Sequence, residues 1–305
     1  MQVFVVGSFV VACSVMVARL PRAGESLDAA AFVSEPGGKG FNLAVAAHRL
    51  GARVDGAFAI GDDPFAAVAT SAFLTAGLST DMLVRREGST GAGIGFIDPA
   101  GENCLAVSLG ANRLLSGADI ARVANGVDGA RLVMATFESP DEPIRTAFVR
   151  ARAKGAATLL NPSPIRTIDP AILADTTILV VNRIEAGDLG IDPATASSVD
   201  RVLEAGPEIV VVTLGEAGAV AFRKDRPPCR QPAFRVPVVD TIGAGDAFAA
   251  GLAVSLLRDC TLEASLRCAA ACGALTTRRF GAFDAFPTTA ELDGFLSAGD
   301  APSET

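Results

Sequence analysis

The sequence predicts an α/β fold, a mostly parallel sheet with a small β lid set over the carboxyl ends of its strands. Three observations carry this. Short Val- and Ile-rich runs alternate with Ala-rich helical patterns along most of the chain, the pattern of parallel strands buried on both faces. Two stretches, 22–36 and 90–108, break that rhythm and read as extended chain, so they leave the main sheet. From residue 247 onward the pattern is helical.

In chain order, the first strand covers 3–7, an apolar run that stops at Gly7 and Ser8. The opening MQVFVVGSFVVACSVMVARLPRAGE raises the question of a signal peptide. It lacks a basic n-region and is interrupted by Gly7 and Ser8, so it reads as a buried strand. Further strands are expected over 54–59, 132–135, 157–161, 178–181 and 209–214, with helices over 41–50, 64–76, 143–154 and 195–205. In the second break, G-I-G-F-I-D-P-A-G-E-N-C-L-A-V-S reads as a hairpin turning at Pro99, Ala100 and Gly101. The lid is assigned to segments spanning about 10–36 and 90–110, inserted in one domain covering 1–305, and it lies where open α/β sheets bind ligands. Helices over 247–258, 262–276 and 289–298 follow, and the last residues, G-D-A-P-S-E-T, are expected to fray. The chain shows no internal repeat, no low-complexity linker and no apolar run of about 18 residues that would cross a membrane.

Composition narrows the function classes. The 305 residues include 34 Asp and Glu against 26 Lys and Arg, a net charge of -8, one His, and no Tyr or Trp. Such a chain offers neither a basic face nor Tyr and Trp stacking platforms for nucleic acid. One His leaves no multi-histidine metal centre and points to a carboxylate as any general base. With 50% hydrophobic and 20% charged residues, the chain can bury a large core, which excludes disorder. Cys13, Cys104, Cys229, Cys260, Cys268 and Cys272 form no C-x-x-C pair and read as small packing residues in a reducing, cytoplasmic compartment.

Two motifs carry chemistry. V-V-D-T-I-G-A-G-D-A-F-A-A-G-L, over 238–252, reads as a strand ending at Asp240, a Gly-rich turn, and a helix opening near Gly245. Gly243, Ala244 and Gly245 let backbone N–H groups converge at the helix N-terminus, where they can hold an anion such as a transferring phosphoryl group. Asp246 beside that anion is repelled by it and so asks for a separate job, general base toward an acceptor hydroxyl. For an isolated G-A-G-D the plainer reading prevails, a tight turn followed by an ordinary acid at a helix N-terminus. The second motif, E-P-G-G-K-G-F-N-L-A-V-A-A-H-R-L-G over 35–51, lets the backbone approach a ligand at Gly37, Gly38 and Gly40, with Asn42 opening an amphipathic helix. It is not a P-loop, which would need Gly at 33 and Ser or Thr at 40 where the chain has Val33 and Gly40. His48, on that helix, reads as structural or solvated.

Together, in this order and about two hundred residues apart, these motifs resemble the ribokinase-like (PfkB) carbohydrate kinases. The resemblance runs along most of the chain: R-L-P-R-A-G-E-S at 19–26, G-E-N near Gly101, G-A-N-R-L-L-S at 110–116, E-S-P at 138–140, N-P-S-P at 161–164, N-R-I-E at 182–185 and T-L-G-E-A-G at 213–218. It implies a three-layer αβα sandwich closest to the ribokinase branch, and ATP-dependent phosphorylation of a hydroxymethyl group on a sugar or sugar-like molecule. By resemblance, Asp246 is the base, and the N–H groups of Gly243, Ala244 and Gly245 form the anion hole. Asn182 and Glu185 match the N-x-x-E motif that organises phosphate and the water shell of Mg²⁺, and Thr213, Leu214, Gly215 and Gly218 match the nucleotide-site segment. The resemblance also implies a K⁺ site at Asp240, Ile242, Thr276, Arg279 and Gly281, mostly through backbone carbonyls. At its last position Ala285 replaces a hydroxyl residue, which weakens the case without removing it.

On the acceptor side the match is partial. Gly38, Lys39, Asn42 and Glu138 match sugar-contacting positions. The family's first strand normally ends in an Asn-x-Asp type sequence whose side chains bind sugar hydroxyls, and G-S-F-V-V-A-C places Val10 and Ala12 there. At about 0.5 to 1.5 kcal/mol per net hydrogen bond, and more to a charged group, two lost contacts weaken ordinary ribose binding by one to several powers of ten. Either the acceptor lacks or modifies those hydroxyls, or another side chain replaces the contacts. A nucleoside kinase of the same family is the nearest alternative, and a non-catalytic ligand-binding regulator is the alternative from another class. No nucleic acid or membrane partner is expected, and a β lid with exposed edges implies a homodimer formed by lid pairing.

Overall fold

The computed structural model describes residues 1–99, 103–195 and 197–299. The chain opens with β1 (Gln2–Gly7), β2 (Val10–Val17), β3 (Ala29–Gly37) and α1 (Lys39–Arg49). Then come β4 (Arg53–Ile60), α2 (Phe65–Thr75), β5 (Leu83–Arg85), β6 (Gly91–Ile97) and β7 (Asn103–Ser108). The middle holds α3 (Gly117–Arg122), α4 (Ala124–Gly129), β8 (Leu132–Thr136), α5 (Asp141–Ala153), β9 (Ala157–Asn161), α6 (Pro170–Ala174) and β10 (Ile178–Asn182). It continues with α7 (Arg183–Asp188), α8 (Ser197–Glu204) and β11 (Ile209–Thr213). The described chain ends with β12 (Ala219–Phe222), β13 (Cys229–Gln231), α9 (Ala244–Leu257), α10 (Leu262–Thr276) and α11 (Thr289–Gly299).

β1 lies inside the main sheet, whose order is β13-β12-β11-β10-β9-β8-β1-β4-β5. Its Phe4 pairs with Asp55 on one side and Val133 on the other. All pairings are parallel except those of β12 and β13, which close one edge antiparallel. Because side chains alternate along a strand, Val3 and Val5 enter one core with Phe41, Phe73, Phe248 and Leu266, while Phe4 and Val6 enter the other with Ile144, Phe148 and Val199. Helices α1, α9 and α10 thus cover one face and α5 and α8 the other, the three-layer arrangement expected.

A second sheet of four strands, β3-β2-β6-β7, forms the lid. β2 pairs antiparallel with β3 and parallel with β6, and β6 pairs antiparallel with β7. The lid grows directly from the carboxyl end of β1 and returns directly into α1. Of the expected hairpin turn, Ala100 and Gly101 lie outside the described residues, as do residues 300–305 of the end expected to fray.

One expected strand is corrected. Residues 238–240 are not β structure; the N–H groups of Val239 and Asp240 both donate to the carbonyl of Thr277, at 2.8 and 3.2 Å. The V-V pair mimics a strand, but Val238 and Val239 are exposed at 63% and 61%, so no neighbouring strand receives them. Strands β5, β12 and β13 were not expected, being three or four residues long, too short for a periodic signal. Among the described residues no helix is long and apolar enough to cross a membrane.

Candidate active site

Four segments meet where β1 ends: Ser8, the first turn of α1, the turn after β8, and the first turn of α9. Asp246 is buried at 4% exposure on the opening turn of α9. One carboxylate oxygen accepts from Nδ2 of Asn42 at 2.8 Å, and the other lies 3.8 Å from Nζ of Lys39. The Asn42 amide is committed to this task, since its Oδ1 is buried with no hydrogen-bond partner among the described residues. Leaving such an acceptor unpaired costs about 1 to 3 kcal/mol, which marks the orientation of Asp246 as the feature retained.

Glu138 supports Lys39 from the other side. Its Oε2 accepts the hydroxyl of Ser8 at 2.6 Å and the backbone N–H of Lys39 at 2.7 Å. Ser8 Oγ in turn accepts the N–H of Gly40 at 3.0 Å, and the Ser8 carbonyl accepts the N–H of Phe41 at 2.9 Å. Gly40 is required here, because a side chain would begin 2.2 Å from the backbone nitrogen of Ser8. Burial pushes the Glu138 carboxyl above its usual range, opposed by the Ser8 and Lys39 donors. The Asp246 carboxylate holds the Lys39 ammonium above its usual value against burial, with Glu138 and Glu185 adding to it. Lys39 is therefore a fixed cation facing three carboxylates at working pH.

The turn into α9 is shaped by Gly243, whose φ of 77° is left-handed and whose side chain would begin 2.9 Å from Cβ of Ala282. The Ala244 N–H donates to the Thr241 carbonyl at 3.3 Å. The first N–H groups of any helix lack partners within it, and here they open toward Asp246.

Beside this turn is a cavity of 630 Å³ that brings together Thr213, Gly215, Gly218, Ala244 and Gly245 from the expected nucleotide and anion positions. Leu214 is not part of its lining. Phe234 and Phe248 are, and the sequence reading missed them, having only their isolated aromatic character as a signal. Asn182 and Glu185 stand at the neighbouring strand end, with Asn182 opposite Thr213. They form a capping box: Asn182 Oδ1 accepts the N–H groups of Ile184 and Glu185, and Glu185 Oε2 accepts the Asn182 N–H at 2.9 Å. Glu185 is buried at 4% exposure, and its charge helps raise the Lys39 ammonium.

The expected cation positions are only partly gathered. Asp240 accepts the N–H of Ile242 and the N–H of Gly281, each at 3.0 Å. Thr276 is buried with its hydroxyl on the Cys272 carbonyl, and Arg279 turns its guanidinium to Glu291. Ala285 is buried and has no side-chain oxygen to offer. Ser8 was missed entirely at the sequence level; its signal was a hydroxyl immediately after the first apolar strand.

Comparison with known proteins decides the family. A model described as "pfkB family carbohydrate kinase" matches residues 1–289. The chain belongs to this family. It is 31% identical over 300 residues to a ribokinase of Mus musculus, covering 95% of this chain and 93% of that protein. It is 30% identical over 308 residues to a deoxyribokinase of Salmonella typhi, covering 98% and 100%. The structure of Arabidopsis thaliana ribokinase complexed with ribose and ATP superposes with a TM-score of 0.90 at 26% identity, covering 97% and 98% of the two chains. As a pfkB carbohydrate kinase the protein uses ATP to phosphorylate a sugar.

Proposed function

We propose that Asp246 takes the proton from a hydroxymethyl group of the acceptor as that oxygen attacks the γ-phosphate of ATP. The observation that supports this is a single buried carboxylate, held by Asn42 at 2.8 Å and Lys39 at 3.8 Å, at the opening of a helix beside a nucleotide-sized cavity. Phosphoryl transfer needs positioning and charge stabilisation more than covalent help. In this reading the N–H groups of Gly243, Ala244 and Gly245 receive the transferred phosphoryl, with Ala244 first released from Thr241. Gly38, Lys39, Asn42 and Glu138 hold the acceptor, and Thr213, Leu214, Gly215, Gly218 and Asn182 border the nucleotide.

Magnesium accompanies ATP, and Glu185, buried and already fixed by the Asn182 N–H, would order its water shell. Potassium would lie by Asp240, Ile242, Thr276, Arg279 and Gly281; the Asp240 carboxylate fits that role, and the absence of a hydroxyl at Ala285 leaves the remaining ligation to backbone carbonyls. The protein works as a cytoplasmic enzyme, consistent with six free cysteines among the described residues, and as a homodimer through the edges of the lid.

The test is ADP release with ATP, Mg²⁺ and K⁺ over pentoses, hexoses, deoxy and substituted sugars, and nucleosides. Turnover with a sugar is expected. A preference for nucleosides would move the assignment within the family, and no turnover with any acceptor would support a ligand-binding regulator instead.

A further inference from the structure

The lid wall facing the acceptor is nearly devoid of polar side chains. β2 and β3 pair Val10 with Gly37, Ala12 with Glu35 and Ser14 with Val33, and directly opposed residues share a face of the sheet. β6 and β7 extend that face with Gly93 beside Ala12 and Val107 opposite Gly93. It is the face turned to the body, because Glu35 on it lies against Gly281, whose neighbour Ala282 packs on Gly243 at the start of α9. Val107, on this wall, is 46% exposed.

One carboxylate interrupts the apolar surface. Glu35, directly across from Ala12, reaches from the lid to the body of the protein, its oxygens 2.5 and 2.6 Å from where a side chain on Gly281 would begin. The next residue, Ala282, packs against Gly243 at the mouth of α9. No hydrogen bond or ion pair from a described residue reaches Glu35, and its charged neighbours, Asp240 and Asp284, are themselves carboxylates. Asp284 is itself paired with Arg49, at 3.7 Å. A half-buried carboxylate with no protein donor has acceptor capacity to offer a ligand in the cleft in exchange for water.

We infer that Glu35 is the specificity-determining residue of the acceptor pocket: it accepts a hydrogen bond from a hydroxyl or ammonium group of the acceptor, while the side over Val10 and Ala12 takes a part of the acceptor that bears no hydroxyl. The inference rests on the sugar-kinase reading with Asp246 at the transfer centre. It names the acceptor class, a sugar or sugar-like alcohol deoxygenated along one edge and carrying a donor on the other. The carboxylate missing at Ala12 is thereby returned to the same lid face from the neighbouring strand.

The experiment is steady-state kinetics of the full chain on the best acceptor of the panel, for wild type, Glu35→Ala and Glu35→Gln, with far-UV circular dichroism confirming the fold of each. Glu35→Ala is expected to raise the acceptor KM about 10- to 100-fold and to leave kcat, the KM for ATP and the potassium response within about twofold. Glu35→Gln should keep a hydroxyl-bearing acceptor within about tenfold of wild type and lose an ammonium-bearing one as fully as Glu35→Ala does. An acceptor KM unmoved in Glu35→Ala overturns the inference. So do equal losses in acceptor KM, ATP KM and potassium response, which would place Glu35 in the cation loop. Wild-type protein without turnover on any acceptor would remove the kinase reading itself, a different failure from an unmoved KM.

Discussion

At Asp246 two donors, Asn42 and Lys39, meet one buried carboxylate, so replacing the carboxylate by an amide removes the proposed proton acceptor while keeping the shape. Asp246→Asn should lower kcat by about 100- to 10,000-fold, the range of general-base contributions, with ATP affinity by titration calorimetry little changed. Ser8 is informative in another way. Its hydroxyl gives to Glu138 and takes from Gly40, so Ser8→Ala leaves a buried N–H unpaired and strips a donor from a buried carboxylate. A stability loss of about 1 to 3 kcal/mol in urea unfolding is expected, with a raised acceptor KM. Asp246, Lys39, Asn42 and Glu138 were legible because each lies in a motif with Gly or a charge at fixed spacing. Ser8 was not, since its partner Glu138 is 130 residues away and a lone Ser carries no local pattern.

Among the elements, the strands of the parallel sheet other than the three-residue β5 were legible from apolar runs, and the lid from its break in rhythm. What failed was the antiparallel edge, where β12 and β13 are brief, and residues 238–240, where apolar side chains face solvent. The tie between the end of α10 and the start of α11 also lay beyond pattern reading. Glu291 accepts from Arg279 and from the N–H of Thr288, and these donors hold its carboxyl at about 2, below the ordinary 4.5. A carboxyl depressed in the folded state adds stability that is present above 4.5 and is lost as pH falls through about 2. Solvent screening keeps the pair small, so Glu291→Gln should lose under about 1 kcal/mol at pH 7 in urea unfolding. The difference from wild type should shrink steadily below pH 4.5.

For the whole molecule, the proposed homodimer would form through the lid. Among the described residues the outer edges of its strands β3 and β7 carry no further strand, and Phe32 and Ile94 are exposed at 64% and 49% on the face opposite Ala12. Phe32→Glu should shift sedimentation from twice the chain mass toward the monomer at micromolar concentration, and a variant still fully dimeric would place the interface elsewhere.

Two of the lid's connections run straight into the candidate site. β2 begins two residues after Ser8 and β3 ends two residues before Lys39, so two of the lid's four roots are the residues that grip Glu138 and confront Asp246. A lid that rocked to admit or release a sugar would therefore shift the residues around Asp246. Water alone would then leave the proposed base misaligned, which would spare ATP from hydrolysis. ADP formation without acceptor should accordingly run at least about 100-fold slower than with it.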